Sequence, residues 1–234
     1  MKIMKSGTLA KEADLIGYDE ISESYWRRPW EIVGKVLSNS VRWFADLGSG
    51  PGQNSRYLAT VNDLVKGVLV DISINMIYRA LRETPEPLQH RLYPVLADMR
   101  ELPIRTDSVD SLLLISALHH VVPRADRLRT LRECRRILKS NGLLLVIVWA
   151  RWQKSLLMDV VRDLLSYVLR RKESLWDVVR CSQATCRVYH LYSISELEKE
   201  LRIAGFKILE KGVYVPGSSK KTPNKNYYCL AIKT

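Results

Sequence analysis

Short apolar runs alternate with longer amphipathic stretches along this chain. Val41 to Asp46 is an apolar run ending on an acid, and a helix-compatible stretch from Gln53 to about Thr60 follows it. Gly67 to Asp71 repeats the pattern, with a helix from about Ile74 to Glu83. Arg91 to Leu96 reads as a third strand leading into Ala97-Asp98-Met99, and Val109 to Ser116 as a fourth. A helix from about Arg124 to Leu138 comes next, with the glycine of Ser140-Asn141-Gly142 placed to cap its end. Leu143 to Trp149 is continuously apolar, as expected of a parallel strand buried on both faces. Strands and helices in this alternation predict a parallel α/β sheet with right-handed crossovers.

Either side of this core the pattern changes. Leu15 to Leu37 reads as helical, broken near Pro29. From Lys154 to Arg180, Leu156, Leu157, Val160, Val161, Leu164, Leu165, Val168 and Leu169 recur at helical spacing, predicting a long helical insertion. A helix over Ser195 to Ala204 then precedes two strands, Phe206 to Tyr214 and Tyr227 to Ile232, joined by a basic loop, Pro216 to Asn226, that reads as mobile. The expectation is one domain with a mostly parallel seven-stranded sheet. Residues 1–40 form an N-terminal helical substrate region, 41–150 the cofactor-binding core, 151–186 the insertion, and 187–234 complete the sheet.

Composition adds two constraints. The 234 residues carry a formal net charge of +12, which fits a polyanionic partner, since neutralising phosphates releases counterions. There is no apolar run of about 18 residues and no signal-like start, so the chain is expected to act in the cytoplasm, away from membranes. Cys134, Cys181, Cys186 and Cys229 lack zinc-type pairing and predict reduced packing cysteines, with a Cys181–Cys186 disulfide as the alternative. No metal site is expected.

The chemistry concentrates at Asp46-Leu47-Gly48-Ser49-Gly50-Pro51-Gly52. Glycines after a strand let the backbone turn sharply and approach a ligand. An acid at the strand end repels a pyrophosphate but suits a cationic ligand such as S-adenosylmethionine. Asp71, ending the next strand, is placed to accept bonds from ribose hydroxyls. Asp98 is placed for an adenine amino group, with Met99 covering the ring. The cofactor candidates are therefore Asp46, Gly48, Ser49, Gly50, Gly52, Asp71, Ile72, Asp98, Met99 and Ser116. His119 and His120 end the fourth strand at the ligand-binding edge, and one of them is expected at the substrate or at the methionine part of the cofactor.

Together the glycine loop, Asp71, Asp98 and His119-His120 resemble a class I S-adenosylmethionine-dependent methyltransferase, whose fold is Rossmann-like. Tyr18-Asp19-x-Ile21, Arg27-Arg28-Pro29-Trp30, Val148-Trp149-Ala150, Arg187-x-Tyr189-His190-Leu191-Tyr192, Glu196-Leu197-Glu198 and Ala204-Gly205-Phe206 are similar to the tRNA wobble-uridine carboxymethyl methyltransferases. The resemblance implies methyl-ester formation on 5-carboxymethyluridine in the anticodon. It places Arg187 and one of Arg27 or Arg28 at the acceptor, and Tyr189, His190 and Trp149 around the uridine. It also implies tRNA as substrate and a heterodimer with a small zinc-binding activator protein at the edge strand Arg91 to Leu96. A small-molecule methyltransferase and an inactive binding module of the same fold are the alternatives.

Overall fold

The computed structural model describes residues 18, 19, 22, 25, 27–37, 40–152, 160–161, 174–181, 186–216 and 225–234. Five strands run parallel: β1 (Trp43–Leu47), β2 (Lys66–Asp71), β3 (Leu92–Leu96), β4 (Val109–Ile115) and β5 (Leu138–Trp149). A hairpin, β6 (Asp177–Cys181) and β7 (Cys186–His190), stands apart as a two-stranded sheet. The last strands, β8 (Phe206–Tyr214) and β9 (Asn226–Lys233), extend the main sheet: β9 lies antiparallel to both β5 and β8, giving the order β3-β2-β1-β4-β5-β9-β8. This is the expected Rossmann-like arrangement, with seven strands of which only β9 runs against the others.

Strand alternation builds a core on each face of the sheet. Ala45, Leu112, Leu114, Leu144 and Val146 point one way, towards α4 (Arg124–Ile137) and α5 (Ile194–Ile203), supplied by Leu131, Ile137, Leu197 and Leu201. Phe44, Leu113, Leu145 and Ile147 point the other way. There they meet Leu58 of α1 (Gln53–Val61), Ala80 of α2 (Ile74–Glu83), Leu88 of the short α3 (Glu86–Gln89) and Val33 of a 3-10 turn, Glu31–Val36. Each such leucine withdrawn from water contributes about 1.5–3 kcal/mol, so the central strands anchor the molecule. Among the described residues no helix is long and apolar enough to cross a membrane.

Several features differ from the sequence expectation. The described part of the N-terminal region is helical only at Tyr18 and Asp19, and Glu31–Val36 is a 3-10 turn entered from an extended Trp30 after Pro29. Helix α4 ends at Ile137, not at the Ser140-Asn141-Gly142 signal, and Leu138 already belongs to β5. The register jumps from Val109 opposite Leu138 to Ser111 opposite Leu143, and the intervening residues bulge out with Asn141 at φ 61°. Gly142 is required by closeness: a Cβ there would lie 2.7 Å from Leu138 and 2.9 Å from the Asp110 carbonyl. The end of the expected helical insertion is strand β6, because Val178 and Val179 pair with Tyr189 and Val188 across the hairpin. Val160 and Val161 are helical, while the rest of the Leu156–Leu169 stripe and most of the Pro216–Asn226 loop lie outside the described residues. Finally, Cys181 and Cys186 form a disulfide at the end of that hairpin, whereas Cys134 and Cys229 are free and buried.

Candidate active site

The chain leaves β1 outward to β2 and β3, then returns to β4 beside β1. The carboxyl ends of β1 and β4 therefore diverge into a crevice where such sheets bind ligands. A cavity of about 480 Å³ opens there. On one wall Gly48 sits at φ 69°, and a Cβ on it would lie 2.5 Å from the Ala117 Cβ, so the loop can pass β4 only as glycine. Asp71 organises this wall: its carboxylate accepts from Gly50 N–H at 2.8 Å and from Ser73 N–H at 3.0 Å. Burial pushes the Asp71 pKa up, and the backbone donors of Ser73, Gly50 and Ile72 counter that. Ser73 also caps α2, accepting from Met76 N–H at 3.2 Å, and donates to Asp19, which ties the N-terminal segment across the cavity mouth.

Seven of the ten cofactor candidates reach the cavity wall: Gly48, Gly50, Asp71, Ile72, Asp98, Met99 and Ser116. Asp46, Ser49 and Gly52 do not. Asp46 lies behind the loop, 1% exposed, accepting from Ser55 Oγ at 2.8 Å; burial raises its pKa to about 7. Gly52 is the N-cap of α1. Asp98 reaches the wall, but the Arg100 guanidinium spans both of its oxygens, with Nε 2.9 Å from each, and extends to Asp126 at 2.8 Å. Tyr18, Tyr25, Met76, Arg100 and Asp126 join the wall although they were not singled out as site residues. Tyr18 belongs to the Tyr-Asp-x-Ile segment already noted. The Arg100–Asp126 pair spans 26 positions and left no local signal.

The opposite wall is aromatic and cationic. Trp149, ending β5, stacks on Tyr189 of β7 with centroids 4.7 Å apart and planes 11° off parallel. His120 lies 4.8 Å from Tyr189 and 5.4 Å from Tyr18. Arg187 and Arg27 line the same space, with Arg187 Cζ 5.0 Å from the Tyr18 ring centre and Arg27 Cζ 5.4 Å from that of Tyr25. Burial and then the charges of Arg187 and Arg27 drive the His120 pKa down to about 3, so it is a neutral ring in this wall. His119 is not on the wall. It is fully buried behind Trp149, accepts from the Trp149 N–H at 3.4 Å, and is likewise held neutral by burial. Arg28 is exposed and off the wall.

His190 is also placed elsewhere than the uridine pocket expected for it. Its Nδ1 meets Asp177 at 2.6 Å and its Nε2 meets Glu196 at 3.0 Å. Burial alone would lower its pKa, but these two carboxylates raise it. The cluster continues through Arg127, Glu200 and Tyr192, so His190 fastens the hairpin to α5.

Residues 45–146 match the methyltransferase-domain family profile. The matched stretch runs from β1 through most of β5, the strands whose carboxyl ends border the cavity. A protein named as a methyltransferase in Encephalitozoon cuniculi is 28% identical over 83% of this chain and 87% of its own length. The tRNA (carboxymethyluridine(34)-5-O)-methyltransferase alkbh8 of Xenopus tropicalis is 28% identical over 64% of this chain, which spans only 23% of that relative. Among solved structures, an S-adenosylmethionine-dependent methyltransferase of Methanosarcina mazei superposes with a TM-score of 0.74 at 18% identity, covering 88% of this chain and 99% of its own. A chain from the complex between the Haloferax volcanii Trm112 methyltransferase activator and a methyltransferase gives 0.66 at 15%, covering 99% of both.

The cofactor of this domain is S-adenosylmethionine, and the cavity suits it. The glycine wall brings backbone close, Met99 offers a ring-covering thioether, and the buried Ser116 Oγ has no hydrogen-bond partner among the described residues. Asp71, Ile72, Met99 and the Gly48–Gly50 backbone would hold it.

Proposed function

We propose that this methyltransferase acts on tRNA, esterifying the carboxymethyl group of 5-carboxymethyluridine at the wobble position of the anticodon, in the cytoplasm. The observation that carries this reading is the pairing of Arg187 and Arg27 with the Trp149–Tyr189 stack, on the wall of the cavity that Gly48 and Asp71 also line. A planar base finds rings to stack on, and an acidic substituent finds guanidiniums, whose forks bond two oxygens at once. The charge of +12 and the named activity of the alkbh8 relative support the same reading.

When bound, S-adenosylmethionine supplies a methyl group on a sulfonium, transferred by in-line displacement. A carboxylate acceptor is already ionised at neutral pH, so the protein needs no strong base; the neutral His120 fits that requirement. Arg187 and Arg27 hold and orient the acceptor, and the aromatic wall excludes water, so positioning carries the acceleration. A small carboxylic acid could occupy the same guanidiniums, and this is the second reading. Mass spectrometry of wobble nucleosides from cells with and without the gene separates them: the methyl ester should vanish on deletion. Purified Arg187→Ala should lose about tenfold or more in transfer to carboxymethylated tRNA while keeping its cofactor affinity. Full activity in Arg187→Lys would sink the bidentate role.

A further inference from the structure

β6 and β7 place Arg180 directly opposite Arg187. Residues facing each other across a strand pair project from the same face, so Arg180 shares the face that carries Arg187 and Tyr189 to the cavity. Their surroundings differ. Arg187 is 8% exposed on the cavity wall, whereas Arg180 is exposed, its Cζ 5.9 Å from the ring centre of Trp149. Two guanidiniums thus bracket the Trp149–Tyr189 stack, one inside the cavity and one on its solvent side. On the tRNA reading above, the acceptor carboxylate takes the inner one, and the outer one is available to the backbone of the same strand.

We infer that Arg180 binds a phosphodiester of the strand adjoining the base in the cavity, so that the site recognises a nucleotide within RNA and not a free acid. The inference rests on the tRNA reading above and adds to it a second anion subsite. The test measures binding of the full-length protein to carboxymethylated tRNA between about 50 and 200 mM salt. Arg180→Ala should bind about 3–10-fold more weakly, with the slope of log affinity against log salt smaller by roughly one, the signature of one lost phosphate contact. Arg180→Lys should keep the wild-type slope, because a phosphate accepts a point charge. S-adenosylmethionine affinity, equal in all three proteins, checks that the hairpin is intact. Wild-type affinity and slope in Arg180→Ala would overturn the inference and leave the tRNA reading standing. A wild-type protein with no salt-dependent affinity for tRNA would overturn both.

Discussion

Asp71 joins three pieces of backbone with one carboxylate: the glycine loop at Gly50, the turn at Ser73, and through Ser73 the start of α2. Burial raises its pKa, and the fixed backbone donors around it offset that cost of burial. Replacing it by alanine should weaken S-adenosylmethionine binding by about 1.5–3 kcal/mol, the usual loss for hydrogen bonds to a charged acceptor. Calorimetry reads this directly, and an unchanged affinity would remove Asp71 from the cofactor site. At this scale the sequence was most legible where a strand ends, because chain order alone delivers Gly48, Asp71, Asp98 and Ser116 to one edge of a parallel sheet. It was least legible where burial decides. Asp46 lies one residue before the end of β1, and its carboxylate sits under the loop against Ser55. Nothing in residue order distinguishes His120 on the wall from His119 behind Trp149.

Strand period, applied to the hairpin, explains a further difference. Arg187 and Tyr189 are two apart and share one face; His190 must face the other way. The Tyr-His adjacency suggested a common pocket, but alternation places His190 opposite Asp177, beside Glu196 and within reach of Arg127. Because its pKa is raised on folding, the folded state holds a proton that the unfolded chain releases near 6.5. The stabilisation is complete below about 6.5 and is lost as pH rises through the higher folded value. Asp46 and Asp71, also raised on folding, add to the fall of stability with pH, so the part due to His190 is the difference between the wild type and His190→Gln above about 6.5. Urea midpoints of the wild type should fall more steeply with rising pH there than those of His190→Gln. Equal slopes in the two proteins would show that His190 does not carry the proton. The helical reading of residues up to Arg180 fails because it carries the Leu156–Leu169 stripe past its last member, whereas pairing with β7 makes Asp177–Cys181 a strand.

At the scale of the molecule, the edge strand β3 was readable from strand order alone, and its chemistry shapes the last expectation. In the β2–β3 ladder, the Arg91 carbonyl and the Ala97 N–H bond to β2, so odd-numbered residues point inward and Leu92, Pro94 and Leu96 point their backbone outward. Pro94 has no N–H to offer, which blunts the middle of the edge in the manner natural sheets use against aggregation. The outward donor at Leu96 and the carbonyls remain for a chosen strand. Leu92 turns its side chain into the protein's own core, but Leu96 is 51% exposed and Tyr93 39%. On α2, whose residues pack beside β3, Tyr78 and Leu81 are exposed as well. An apolar border of this kind calls for a cover. The family resemblance in the sequence predicts that this cover is a small zinc-binding activator adding a strand at β3. Co-expression should give a soluble one-to-one heterodimer more active on tRNA than the lone chain. Leu96→Asp should release the activator while S-adenosylmethionine affinity stays within about twofold, since Leu96 is absent from the cavity wall. A lone chain that is soluble, monomeric and as active as the mixture would dismiss the partner, and the apolar residues at β3 would then need another explanation.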